Sequence, residues 1–152
     1  MTITNRQAWL WALVFSVVLL LTGCGKEMKT LDLKPDTGET VQATLDMGED
    51  FDMKYVSGVL MVYQKKKLML QVAFLDEAQR QAQLDHMREG NMSRVLKEEG
   101  QSISYEMTNA QGLVNYYIFP VGNQTYAYGA TYLPPEAADK VWQRLHFGGE
   151  KK

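Results

Sequence analysis

From Thr40 to Leu45 the residues Val41, Ala43 and Leu45 alternate with Thr40, Gln42 and Thr44, the period-two pattern of a half-buried strand. Further along the pattern changes. Val59–Tyr63 and Leu68–Leu75 are nearly unbroken apolar runs separated by Gln64-Lys65-Lys66-Lys67, a spacing that predicts a β-hairpin. A strand with one wet face alternates, so these runs predict two strands covered on both faces, by a third layer or a partner chain. The lysines of the turn would sit in solvent or against anionic headgroups.

After Leu75, Asp76 stands at an N-cap position and Glu77 places negative charge in the first turn of a helix running to about Glu89. Ala78, Ala82, Leu84 and Met87 give that helix a weak apolar face, so thin packing is expected. Gly90 and Asn91 stop it. Arg94 to Glu98 and Ser102 to Met107 read as two short strands. Asn109-Ala110-Gln111-Gly112 is a turn leading into Leu113–Phe119 and, past Gly122-Asn123, into Gln124–Tyr132, a second hairpin. Pro134-Pro135-Glu136 opens a last helix, whose Ala138, Val141, Trp142 and Leu145 form a core-facing stripe down to His146 and Phe147.

The opening segment has a different character. Arg6 is the only charged residue before Lys26, and Ala8 to Leu21 is apolar except for Ser16. The run is about 14 residues, short of the roughly 20 that a helix needs to cross a bilayer, and its order is that of a signal peptide. It closes on Leu21-Thr22-Gly23-Cys24, which resembles the lipobox of bacterial lipoproteins. The resemblance implies a diacylglyceryl group on the Cys24 sulfur and cleavage between Gly23 and Cys24. Two acyl chains suffice for stable anchoring. The chain then divides into a signal peptide (1–23), a lipidated N-terminus and flexible tether (24–39), a globular domain (40–147) and a loose tail (148–152). The tether is polar, with room for a short strand around Leu31 and Leu33. The expected location is the cell membrane or outer membrane, facing away from the cytoplasm; Gly25 after the cysteine resembles an outer-membrane sorting signal in two-membrane bacteria.

Charge and cysteine count narrow the function classes. Taking Arg6 from the 16 basic residues leaves 15 against 18 acidic ones, about −3 for the mature chain, which does not suit nucleic-acid binding. Cys24 is the only cysteine, so no intrachain disulfide forms. His86 and His146 lie in no ligand-spaced motif, and each falls at the end of an expected helix, where a cation is favoured. Neither a Gly-x-Ser-x-Gly turn nor a glycine-rich phosphate loop occurs. Glu98 and Glu99 are adjacent on a strand and point to opposite faces. Met61, Met69, Met87, Met92 and Met107 are dispersed, as core filler rather than thioether ligands of Cu(I). No catalytic residue, metal site or cofactor is expected.

The tyrosines are the most distinctive feature. Tyr105, Tyr116, Tyr117, Tyr126, Tyr128 and Tyr132 crowd the later strands, and Tyr126, Tyr128 and Tyr132 should share one face. Such a face can bind sugars, peptides or lipids through apolar contact and rim hydroxyls. Alternatively the rings stack across strands for stability. The expected fold is α+β, one domain with an antiparallel sheet of about six or seven strands and two helices on opposite faces. In element order it resembles the PsbP-like αβα sandwiches found among exported lipoproteins. The expected function is a lipid-anchored, non-catalytic module that binds an envelope protein or small ligand. Two alternatives stand beside it, an accessory subunit of a membrane-associated complex and a hydrolase with an unrecognised site.

Overall fold

The structure, a computed structural model, describes residues 27–90 and 92–148; the expected signal peptide, with Gly23 and the expected lipidation position Cys24, lies outside the described residues. The fold is α+β. In chain order the elements are β1 (Met28–Leu33), β2 (Val41–Asp46), β3 (Phe51–Val56), β4 (Val59–Gln64), β5 (Lys67–Leu75), α1 (Glu77–Glu89), β6 (Ser93–Glu99), β7 (Ser102–Asn109), β8 (Gly112–Pro120), β9 (Tyr126–Thr131), α2 (Pro135–Trp142) and β10 (Leu145–Phe147). Seven strands form one sheet in the order β3-β4-β5-β9-β8-β7-β6, and three form a second, β1-β2-β10. Every pairing is antiparallel.

The small sheet and α2 lie on one side of the large sheet, here called the sandwich side. Leu33, Val41, Ala43, Leu45 and Val141 meet Met53, Leu60, Val62, Leu70, Val72 and Ala127 in one buried cluster. Each leucine, valine or methionine among them contributes roughly 1.5–3 kcal/mol relative to exposure. Trp142 extends this layer, its ring 5.3 Å from Tyr117 and 5.2 Å from Phe119. Gly129 makes room for it, because a Cβ built there would collide with the indole.

The opposite side carries α1. Asp76 and Gln79 form a capping box, with Asp76 Oδ1 accepting from Gln79 N at 2.8 Å and Gln79 Oε1 accepting from Asp76 N at 2.9 Å. Only Leu84 and Met87 of this helix are buried, and they cover Ile103, Tyr105, Ile118 and Tyr126. Arg80 adds a cation–π contact, its guanidinium 4.8 Å from the Tyr126 ring. The two helices thus take opposite sides of the large sheet.

Three expectations change. The β4–β5 hairpin is sealed on the sandwich side only; on the α1 side Met61, Tyr63 and Ala73 are half-buried and Gln71 is exposed. Its apolar residues shield one another there, with Tyr63 Oη donating to Met61 Sδ at 3.3 Å and the Lys54 ammonium 5.9 Å above the Tyr63 ring. The stretch read as a flexible tether, with room for a short strand around Leu31 and Leu33, is strand from Met28 to Leu33 and part of the fold, because Leu33 is fully buried in the sandwich core and Leu31 packs against it. The last helix stops at Trp142, and Leu145–Phe147 pairs with β2 as β10. Leu145 is buried by that pairing, with His146 exposed between it and Phe147.

One clamp joins the two sheets at their far end. The Glu39 carboxylate, after the β1–β2 turn, accepts from Asn123 N at 2.7 Å, Gln124 N at 3.0 Å and Thr125 Oγ1 at 2.8 Å in the β8–β9 turn. Hydrogen bonds from Gln124 first, then Thr125 and Asn123, hold its carboxyl below the usual glutamate value.

Candidate functional site

Register across the large sheet shows how the tyrosines are placed. Lys54, Met61, Gln71, Ala130, Tyr116, Tyr105 and Val95 are successive partners across all seven strands, so they form one row on the α1 side. Ala130 is the smallest side chain in the row. It stands between Gln71 and Tyr116, so the row dips there. The buried face of α1 lies over Tyr105 and Tyr126, which leaves the dip uncovered.

The result is an open groove of about 340 Å³ with Ala130 at its floor and Leu68, Gln71, Val114, Tyr116 and Tyr132 among its walls. Tyr132 is 57 % exposed and Leu68 40 % exposed, so its lip is apolar. Lys67 stands beside them.

Short polar contacts fix that lip. Thr131 Oγ1 donates to Met69 O at 2.7 Å and accepts from Leu133 N at 3.1 Å, while the buried Asn115 donates from Nδ2 to Leu133 O at 2.8 Å. The segment after β9 is therefore held from both β5 and β8. Tyr132 Oη donates to Gln111 Oε1 at 2.7 Å and accepts from Asn109 Nδ2 at 3.4 Å, which ties its ring to the β7–β8 turn. An aromatic held this way presents a surface with little ordering entropy left to lose on binding.

The six tyrosines divide among four environments. Tyr105, Tyr116 and Tyr128 form a ladder of stacked rings, with centroids 5.1 and 5.6 Å apart and ring planes 18° and 14° off parallel. Tyr105 is fully buried under α1, and Tyr116 and Tyr128 are half-buried, with Tyr116 at the groove wall. Tyr126 is buried beneath Arg80. Tyr117 points to the sandwich side against Trp142. Tyr132 is the exposed ring. The structure thus brings Tyr116 and Tyr132 together in the groove and uses Tyr105, Tyr126 and Tyr117 for packing.

Sequence reasoning missed Leu68, Gln71 and Ala130. Gln71 interrupts an apolar run, and that single polar residue was the available signal that this side of β5 meets water.

Lys67 is the charged residue among those lining the groove. Burial, and after it the neighbouring Tyr105 and Tyr132, pushes the Tyr116 phenol above its usual value. Burial and a hydrogen bond with Tyr105 do the same to Tyr128. Both phenols stay protonated near neutral pH and can donate or accept hydrogen bonds. They are poorly suited to act as bases.

The remaining candidates lie apart. His86 is exposed in the last turn of α1 and His146 is exposed on β10. Glu98 faces Arg88 at 3.9 Å and Glu99 faces Lys97 at 3.3 Å, all on the surface. Met87 and Met107 pack in the cluster under α1, Met69 packs on the sandwich core, Met61 is half-buried on β4 and Met92 is exposed. Among the described residues no group of three histidine, cysteine or acidic side chains could hold a metal ion, and no helix is long and apolar enough to cross a membrane. No protein-family model, no curated protein and no solved structure matches the chain.

Proposed function

We propose that this chain is a lipid-anchored envelope protein, acylated on Cys24, which acts as a non-catalytic binding module through the groove between Leu68 and Tyr132. The groove itself is the observation that carries the reading. A preformed concavity with an apolar lip, one aromatic wall and one amide matches what small-ligand and side-chain pockets use. Tyr116 and Tyr132 offer ring faces and hydroxyls, and Gln71 offers a donor and an acceptor. The occupant that fits is amphipathic, with a flat or aliphatic part seated over Ala130 and a polar part near Gln71.

The test is photo-crosslinking in the native envelope. A photoreactive residue replacing Tyr132 in the acylated protein should give one discrete adduct, lost when Ala130→Leu fills the groove floor. The same residue at Lys140, exposed on α2, should not give that adduct. A heavy adduct would identify an accessory-subunit role and a light one a small ligand. Identical labelling at both positions would end the proposal.

A further inference from the structure

We infer that the β4–β5 turn, Lys65-Lys66 with Lys67 beside it, is a bilayer-docking surface that rests on anionic phospholipid headgroups. The inference rests on acylation of Cys24 as proposed above. Only Gly25, Lys26 and Glu27 separate that cysteine from β1. At about 3.5 Å per residue, the acylated sulfur stays within roughly 15 Å of Met28. Whatever surrounds Met28 is therefore held close to the lipid.

The lysine turn is at that same end. Glu27 O accepts from Met47 N at 2.8 Å, and three residues on, Asp50 O accepts from Lys65 N at 3.1 Å. Glu27, Lys54, Lys65 and Lys66 line one open cleft. Lys54, Lys65, Lys66 and Lys67 are all exposed, and none forms an ion pair among the described residues. Of the acids nearby, Asp52 is paired with Lys29 at 2.7 Å, and Glu49 and Asp46 share Arg144 at 2.7 and 3.5 Å, so that with Glu27 and Asp50 five acids stand against Lys29, Arg144 and the four lysines. Within a chain of net negative charge, this end is positive.

Backbone conformation gives an independent argument. Lys65 and Lys66 both adopt positive φ, +48° and +67°, the two-residue hairpin turn that normally takes Asn-Gly. Other hairpin turns here place a glycine at a positive-φ position, Gly58 after Ser57, Gly100 before Gln101 and Gly112 after Gln111. Lysine is disfavoured in that conformation, and residues kept against local preference cluster where they perform a function. What the two lysines place at the tip is charge. Since Lys67 also stands at the groove's lip, docking would set the groove mouth next to the bilayer.

The experiment uses the full acylated chain in vesicles containing nitroxide-labelled lipid, with an environment-sensitive fluorophore at Asp50→Cys near the turn or at Gln101→Cys at the opposite end. In vesicles rich in phosphatidylglycerol, quenching at position 50 should exceed that at position 101 several-fold. Replacing Lys65, Lys66 and Lys67 with glutamine should abolish the difference. Each lysine is worth about fivefold in partition onto an anionic surface, so the unacylated Cys24→Ser full chain should bind such vesicles roughly a hundredfold more weakly once all three are replaced. Equal quenching at both ends, or binding indifferent to the lysines, overturns docking while acylation stands. An intact leader with a free Cys24 thiol by mass spectrometry overturns the anchor instead. Docking is then judged by lysine-dependent vesicle binding of that same chain.

Discussion

The two sides of the seven-stranded sheet are built to different specifications from the same strands. On the sandwich side Met53, Leu60, Val62 and Val72 are fully buried against the small sheet and α2. On the α1 side the helix buries only Leu84 and Met87, and the row through Gln71, Ala130 and Tyr116 meets solvent in a groove. One side is thus committed to stability, and the other has spare surface. Adjacent residues of one strand fall under opposite rules, since neighbours on a strand face opposite ways. Substitutions can break or sharpen this contrast.

The largest effect is expected at the centre of the closed side. Leu60→Ala removes a fully buried side chain from β4 and leaves a cavity between two sheets that cannot both relax, with an expected loss of about 3 kcal/mol in urea unfolding. A loss under 1 kcal/mol would mean that the small sheet does not seal this side. Next comes Gly129→Ala. Its new Cβ would push the Trp142 indole away from Tyr117 and Phe119, at a cost of about 2 kcal/mol and with a change in tryptophan fluorescence.

A smaller, pH-dependent effect is expected where the two sheets are pinned together. Because the Glu39 carboxyl is held low in the fold, the unfolded chain takes up its proton first as pH falls. The Glu39 contribution is therefore complete above the ordinary glutamate value, about 4.3, and is lost as pH drops through the lower folded value. Glu39→Gln should cost about 1 kcal/mol at pH 7, reduced by solvent screening, and almost nothing in strong acid. A cost that does not change with pH would remove the carboxylate's role in the clamp.

Much of the fold was legible because it is local. The alternation of Val41, Ala43 and Leu45, the turn after Gln64 and the Asp76 cap each announce themselves within a few residues. Long-range pairing was not legible. Nothing in β9 says that it pairs with β5 as well as β8, and that placement puts the second hairpin at the centre of the sheet. Val141 and Leu145 are four apart, a helical spacing, so β10 read as a last turn of helix; the exposed His146 between two inward residues shows strand alternation. Likewise the near-continuous apolarity of Leu68–Leu75 read as two-sided cover, when the outward apolar residues are half-sheltered by one another and Gln71 is exposed. The tyrosines were found by composition. Which of them meet solvent depends on the path of α1, and a helix with so weak an apolar face does not declare where it will lie.

The smallest stability effect should occur one residue away from Gly129. Ala130 lies on the open side, where its methyl group forms the groove floor and α1 does not reach. Lengthening it to leucine directs the added carbons into the open groove and not into a packed layer. They bury apolar surface against Tyr116 and Leu68. Ala130→Leu should therefore leave the unfolding free energy within about 0.5 kcal/mol of the parent, as for other accessible substitutions, while it removes the crosslink at position 132. Gly129→Ala adds fewer atoms and should cost several times more. If the two substitutions were equally harmful, both sides of β9 would be packed and the groove would be closed in solution; the contrast between the sides, and the binding function drawn from it, would then fail together.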